Sequence, residues 1–304
     1  MKIWVPHVDG PRLIGPLPAG ITVEVCPDPD KLPSDPAGVE FWAPPFLGGG
    51  DKLQRLLGQM SALRVVQLLT AGADAWVDRV RDEVTLCDAR GVHDAPTSEW
   101  VLTAILAYLR SFPTFVRAQA RGEWAYQHTD ELTGKRVLIV GAGSIGEAVA
   151  RRLAPFEVEV VRVARSARDG VHGVDELPAL LPNADIVVVL VPLTEATTGL
   201  VDATFLAAMP DGALLVNAAR GPVVDTAALT AEVASGRLGL AADVVEPEPL
   251  PSDHPLWTLP NVLITPHVAA SVSGMRPRAY ALVAQQLRRY ASGEALANVV
   301  QDGY

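Results

Sequence analysis

Along the first third of the chain the apolar positions gather into short runs: Lys2 to Val5, Val23 to Val25, Val39 to Ala43, Val65 to Leu69 and Val84 to Cys87. Each has the length of a strand. Helical spacing appears between some of them, at Asp51 to Met60 and at Ala75 to Val80, and the proline-rich stretches at Pro27 to Pro36 and at Pro44 and Pro45 read as loops. This alternation predicts a small doubly wound α/β domain. A longer helix follows, capped by Thr97 or Ser98, with Trp100, Val101, Ala104, Ile105 and Tyr108 on one face. Pro113 should kink or restart it before Gly122 ends it. A helix of that length between two strand-rich regions is a candidate hinge and subunit contact.

Strand-like runs then recur at Val137 to Val140, Val158 to Val163, Ile186 to Val191, Ala213 to Asn217, Leu240 to Val244 and Val262 to Thr265. Helical candidates at Val174 to Leu181, Ala203 to Met209 and Thr226 to Ser235 separate most of them, so the pattern predicts a six-stranded parallel sheet with crossover helices. A last amphipathic helix from Pro277, with Tyr280, Val283, Ala284, Leu287 and Tyr290 on its apolar side, is expected to return to the first domain. The predicted division is therefore residues 1–96 with 275–304 around an inserted domain of 97–274.

The first strand of the inserted domain runs directly into Gly141, Gly143 and Gly146, with Ser144 among them, and from Ile145 onward the sequence reads as a helix until Pro155. A dinucleotide site needs this order. The first glycine allows a tight turn, the second lets backbone approach a pyrophosphate, and the third lets helix pack on strand. The helix start then offers unpaired N–H groups to phosphate oxygens.

Composition narrows the partners. With 49% hydrophobic and 20% charged residues the chain is that of a folded protein, and its net charge of −10 argues against nucleic acid or an anionic membrane. Neither a signal-peptide pattern nor an apolar run of membrane-spanning length is seen, and Cys26 and Cys87 have no metal-ligand spacing. The expectation is a cytoplasmic protein with reduced thiols and no metal.

Candidate chemistry lies where strands end. Ala71 and Gly72 follow the run Val65 to Leu69, where accessible backbone N–H groups could meet a carboxylate, although a tight turn needing Gly72 fits the spacing equally well. At the end of the second strand of the inserted domain, where a carboxylate would select NAD, the sequence reads Ala164-Arg165-Ser166-Ala167-Arg168. Two guanidinium groups and a hydroxyl suit a 2′-phosphate, so NADPH is favoured and NAD remains possible. Arg220, Glu248 and His267 follow three late strands, close to where a nicotinamide ring would lie.

At these residues the sequence resembles the D-2-hydroxyacid dehydrogenase family. The matching segments are GAGSIGEAVARRL, VLVPLTEATTGLVD, LLVNAARGPVVD, LAADVVEPEPLP and NVLITPHVAA, in family order. The resemblance implies a Rossmann dinucleotide-binding domain inserted in a smaller flavodoxin-like substrate domain, and a catalytic trio of Arg220, Glu248 and His267. It implies that Ala71 and Gly72, with Arg220, hold the substrate carboxylate, and that Asp243 lies by the nicotinamide carboxamide. Pro192, Thr197, Ala218, His267 and Ala269 are implied near the cofactor, and a homodimer is implied.

Departures from the family pattern refine the expectation. Ala164 stands where an NAD-selecting Asp is usual, and the following basic run is similar to that of NADPH-dependent glyoxylate and hydroxypyruvate reductases. A phosphoglycerate dehydrogenase with an added regulatory domain is disfavoured, since nothing follows Tyr304. Formate dehydrogenases carry Gln in place of Glu248 and are less similar, and Asp88 occupies a place where many relatives have Asn. The expected reaction is hydride transfer to a small 2-keto acid. The rivals are a nucleotide-sensing, corepressor-like module and a dehydrogenase of another 2-hydroxy acid.

Overall fold

Runs of β-branched and aromatic residues become strands here where both faces can be covered. The computed structural model describes residues 1–46 and 50–301, and the chain divides into two compact units, Met1–His93 with Ser273–Tyr304, and Asp94–Val272. In the first unit, β1 (Lys2–Val5), β2 (Thr22–Val25), β3 (Val39–Trp42), β4 (Val65–Gln67) and β5 (Thr85–Cys87) form a parallel sheet in the order β2-β1-β3-β4-β5. Side chains alternate across it. Trp4, Trp42 and Val66 pack with Leu53, Leu56 and Leu57 of α2 (Asp51–Gln59), while Ile3, Val5, Phe41 and Val65 pack with Ala279, Tyr280, Val283 and Leu287 of the closing helix Met275–Ser292. Burying side chains of this size contributes about 1.5–3 kcal/mol each.

Local details differ from the sequence reading. Ala75 to Val80 forms turns rather than a helix, with single bonds such as Trp76 N–H to Ala73 O. Trp76 is drawn edge-on against Trp42, with ring centroids 5.6 Å apart. So short a segment cannot meet the cost of helix nucleation without a core of its own. A short helix α1 (Gly10–Ile14), unmarked by periodicity, starts with Pro11 near its head. The closing helix begins two residues ahead of Pro277, which sits in the first turn where a missing N–H loses nothing.

The second unit opens on α3 (Asp94–Leu109), so Thr97 and Ser98 lie inside the helix and not at its cap. Pro96 is tolerated there for the same first-turn reason. After Ser111, in the left-handed region at φ 54°, α4 (Phe112–Ala120) restarts the helical path. The sheet has seven parallel strands rather than six: β6 (Arg136–Val140), β7 (Glu159–Ala164), β8 (His172–Gly173), β9 (Ile186–Val189), β10 (Leu214–Asn217), β11 (Gly239–Ala242) and β12 (Val262–Ile264), in the order β12-β11-β10-β9-β6-β7-β8. The added β8 is a two-residue edge strand with no apolar run to announce it. Helices α5 (Ser144–Leu153), α6 (Leu177–Leu180), α7 (Ala203–Ala208) and α8 (Thr226–Ala234) connect the strands. Around α6 the expected single helix breaks into 3₁₀ turns on both sides, because Pro178 and Pro182 each remove a donor.

Strand β6 shows why the sheet is buried on both sides. Val137 and Ile139 face Val101, Ile105, Val149 and Leu153, whereas Leu138 and Val140 face the cluster that includes Val187, Leu206 and Leu229. All strands stay parallel, but the order in which they are added reverses between β6 and β9, which opens a crevice at their carboxyl ends.

The end of β5 in the first unit carries an unusual charge. Asp88 is buried, accepting the Arg90 backbone N–H at 2.9 Å, and burial pushes its carboxyl above the usual carboxylate range. A raised acid destabilises the fold above its own titration and ceases to do so once pH falls below the unfolded value. Asp88→Asn keeps an acceptor for Arg90. It should raise the melting temperature by a few degrees at pH 7, with the difference shrinking as pH falls through the acid range. Equal melting temperatures at pH 7 would show that this carboxylate is fully compensated.

Candidate active site at the carboxyl edge of the larger sheet

Every loop of chemical interest in the second unit leaves the carboxyl end of a parallel strand. The turn after β6 is the tightest. Gly141 has φ +118°, and a β-carbon on it would lie 2.6 Å from the Leu190 carbonyl carbon. A β-carbon on Gly146 would lie 2.1 Å from the Gly141 carbonyl oxygen, so α5 can settle on β6 only with glycine there. Gly143 differs from both. A β-carbon on it would meet no atom within 4 Å, and its place at the head of α5 carries no side-chain cap.

The exposed loop over Gly143 and the uncapped N–H groups of Ser144 and Ile145 therefore suit a dinucleotide pyrophosphate. Arg168 Nη2 donates to the Ala142 carbonyl at 2.7 Å, which places the basic run after β7 beside the glycine turn, and Arg165, Ser166 and Arg168 are exposed there. The loop after β9 is stitched internally: Thr197 Oγ1 donates to the Pro192 carbonyl at 2.6 Å and accepts from Thr194 N–H at 2.9 Å. Ala218 follows β10, its N–H bonded to the Val189 carbonyl.

His267 and Glu248 meet. The imidazole Nδ1 lies 2.7 Å from Glu248 Oε1, and because a carboxylate only accepts, Nδ1 is the donor and Nε2 is left for another partner. Both side chains are close to half exposed, so the pair is worth little in stability and matters for orientation. His267 has φ +52°, an uncommon conformation for a residue with a β-carbon. Asp243 holds that turn. Its Oδ1 accepts from Val268 N–H and its Oδ2 from Ala269 N–H, both at 2.8 Å, while its carbonyl accepts from His267 N–H at 2.8 Å.

Arg220 extends from the loop after β10, half buried, with Nη1 donating to the Ala219 carbonyl at 2.7 Å. Its neighbour Gly221 is so close to the next loop that a β-carbon would lie 2.0 Å from the Val245 carbonyl oxygen. Asn217 completes the join. It is buried, donates toward the Arg220 and Val244 carbonyls at 3.3 and 3.4 Å, and accepts Ala219 N–H at 3.1 Å. The sequence reading passed over Asn217, although a polar residue ending an otherwise apolar strand was a visible signal.

Ala71 and Gly72 lie in the loop after β4 of the first unit, half buried, where Thr70 Oγ1 donates to the Gly72 carbonyl at 2.9 Å. Of the remaining histidines, His93 is buried with Nε2 2.8 Å from the Leu69 carbonyl, a structural bond. Among the described residues no cluster of three or more His, Cys, Asp or Glu could hold a metal ion, and no helix is long and apolar enough to cross a membrane.

Residues 102–269 match the family model described as D-isomer specific 2-hydroxyacid dehydrogenase, NAD binding domain. Formate dehydrogenase 2, mitochondrial, from Oryza sativa subsp. japonica is 35% identical over 223 residues, covering 69% of this chain and 59% of that one. The chain thus spans about three fifths of the length of that relative. A D-isomer specific 2-hydroxyacid dehydrogenase from Xanthobacter autotrophicus Py2, solved in complex with NADPH and MES, superposes with a TM-score of 0.84 at 33% identity, covering 99% of both chains. An NADPH-dependent glyoxylate/hydroxypyruvate reductase from Sinorhizobium meliloti, solved with NADP and sulfate, gives 0.84 at 29% identity over 99% of this chain and 98% of that one.

The three glycines make distinct predictions. Gly143→Ala should fold with an unchanged melting temperature yet bind NADPH roughly 10-fold or more weakly in a fluorescence titration, because its methyl group would occupy the space left over the turn. Gly146→Ala should lose stability outright. Undiminished NADPH affinity in Gly143→Ala would place the nucleotide elsewhere.

Proposed function

This chain belongs to the D-isomer specific 2-hydroxyacid dehydrogenase family, and on that basis we propose that it reduces a small 2-keto acid of the glyoxylate or hydroxypyruvate type with NADPH, giving the D-2-hydroxy acid. The observation that carries the proposal is the 2.7 Å pairing of His267 with Glu248 on loops that also adjoin Arg220, at the same sheet edge as the glycine turn. The smaller unit is taken as the substrate-binding domain, with the Ala71 and Gly72 N–H groups meeting the substrate carboxylate.

Bound NADPH supplies the hydride. Gly143, Ser144 and Ile145 would hold its pyrophosphate, Arg165, Ser166 and Arg168 its 2′-phosphate, and the segments at Pro192, Thr197, Ala218, Asp243 and Ala269 its nicotinamide half. The family and the cofactors of its solved relatives support a nicotinamide cofactor, and the basic run in place of a strand-end carboxylate favours NADPH over NADH. Arg220 would grip the carboxylate and keto oxygen of the substrate through its planar donor fork and stabilise charge gathering on that oxygen. His267 then gives the proton on Nε2 to the oxygen. Glu248, accepting from Nδ1, keeps the ring aimed with Nε2 toward the substrate.

A homodimer is part of the same proposal. Phe112, Val116, Trp124 and Tyr126 expose apolar side chains in consecutive segments, Trp124 being 96% exposed. Such a patch needs a partner in an otherwise acidic, charged surface. A cavity of about 650 Å³ bordered by Tyr108, Pro113 and Thr114 adjoins it, lined also by Lys135, Asp185 and Asn261 from the amino ends of the strands. That is the sheet edge opposite His267, so a second copy would dock without covering the site. The buried, unpaired thiols of Cys26 and Cys87 fit a reducing cytoplasm.

Oxidation of NADPH and of NADH, followed at 340 nm with glyoxylate, hydroxypyruvate and bulkier keto acids, tests the reaction. Activity with NADPH should exceed that with NADH, and His267→Ala should lose about 100- to 10,000-fold in turnover with NADPH binding nearly intact. A protein that binds NADPH and reduces none of these acids would favour a nucleotide sensor instead. In light scattering the native chain should be a dimer and the double variant Val116→Glu, Trp124→Ser a folded monomer. A monomeric native chain would overturn the dimer.

A further inference from the structure

The His267 turn is not held by the Asp243 carboxylate alone. Trp100, on α3, donates its indole Nε1–H to Thr265 Oγ1 at 3.0 Å, and Thr265 Oγ1 lies 2.5 Å from Asp243 Oδ1. The direction of this chain follows from the groups themselves. An indole N–H can only donate, so the threonine oxygen must accept from it, and a carboxylate can only accept, so the single hydroxyl hydrogen must point at Asp243. The hydroxyl rotor is therefore fixed from both sides. Asp243 is almost fully buried, and its Oδ1 shares acceptance between the Thr265 hydroxyl and Val268 N–H.

Consequences follow for His267. Thr265 sits two residues before it and Val268 one residue after, and both bond to the same oxygen, so the carboxylate pins the turn on each side of the strained φ +52° residue. The His267 N–H is held as well, by the carbonyl of Asp243 at the end of β11 at 2.8 Å and, within the turn, by that of Thr265 at 3.0 Å. A non-glycine residue in this region persists only where its surroundings over-determine it. Helix α3 supplies part of that determination although it carries none of the acid, base or guanidinium groups.

We infer that Trp100 and Thr265 are positioning residues for the reaction, acting through Asp243 to fix the backbone turn that aims His267 at the substrate. This rests on the proposed function, since it assigns the turn a catalytic task. Neither residue touches reacting atoms. Their effect is on how often the imidazole stands in its productive place, which a small displacement changes steeply.

Three variants separate this from ordinary packing. Thr265→Val keeps the shape of the side chain and removes the hydroxyl, Thr265→Ser keeps the hydroxyl and removes a methyl group, and Trp100→Phe removes the indole N–H. Relayed positioning predicts that Thr265→Val lowers kcat about 10-fold or more with a nearly unchanged KM for the keto acid, that Thr265→Ser stays within about 2-fold of the native enzyme, and that Trp100→Phe loses several-fold. The double variant Trp100→Phe, Thr265→Val should be no worse than Thr265→Val alone, because both cut one chain. A packing role predicts the reverse order, with valine tolerated better than serine, and that order would overturn the inference.

Amide hydrogen exchange gives a readout independent of turnover. Val268 and Ala269 should exchange faster in Thr265→Val than in the native chain and near the native rate in Thr265→Ser. Unchanged exchange in Thr265→Val would break the proposed link to the turn. A native enzyme inactive on every keto acid tried would defeat the assigned reaction, and the exchange rates would still decide whether the hydroxyl holds the turn.

Discussion

All seven strands of the larger sheet run in one direction, and this parallel pairing is the constraint on which the site depends. Residues as distant in sequence as Gly143, Arg220, Glu248 and His267 leave the sheet at one edge because each follows the carboxyl end of a strand. Parallel strands require crossover segments, and those segments cover both faces, so the edge is the part of the sheet left open for loops. The neighbour order β10-β11-β12 then sets three chemical groups side by side: a guanidinium on the first loop, a carboxylate on the second and an imidazole on the third.

Adjacency of strands is coarse, and finer placement comes from buried polar side chains that join one loop to the next. Asn217 ties the Arg220 loop to Val244, and Asp243 ties the end of β11 to the turn carrying His267. Unpaired, either side chain would be costly in so buried a place. Paired with several backbone groups, each converts that cost into a fixed geometry. Glycine contributes by absence: Gly221 and Gly146 permit backbone approaches that no β-carbon would allow. The exposed His267–Glu248 pair could not set its own position in water, and it is presented by a frame whose rigidity lies beneath it.

The strand pattern was legible because β-branched runs such as Val137 to Val140 have no other stable use, and the glycine turn because its spacing answers a steric need. The pairing of Glu248 with His267 was legible through family resemblance; Glu246, two residues away, is an equally good acid on spacing alone. Residues whose importance lies in cross-chain hydrogen bonds were not legible. Trp100 reads from periodicity as one more apolar position on a helix, and only the fold brings its indole N–H to Thr265 across 165 residues. Ala75 to Val80 misled for a related reason, since helical spacing cannot show that Trp76 is drawn onto Trp42 instead.

The proposed reaction brings two anionic reactants to a protein of net charge −10, a question of attraction that distance resolves. At physiological ionic strength charges more than about 8 Å apart are largely screened in solvent, so the total charge of the chain hardly reaches a ligand at the sheet edge. What a phosphate or carboxylate meets there is local: uncapped N–H groups at the head of α5, the exposed guanidinium groups of Arg165 and Arg168, and Arg220 held half buried on its loop. Partial burial strengthens the interaction at Arg220 relative to the exposed carboxylates elsewhere on the surface. On the proposed function, the acidic surface would discourage polyanions, whose extended charge spans many screening lengths, while small anions would be admitted at a few prepared points. Selection by size and selection by charge thus follow from one distribution of residues.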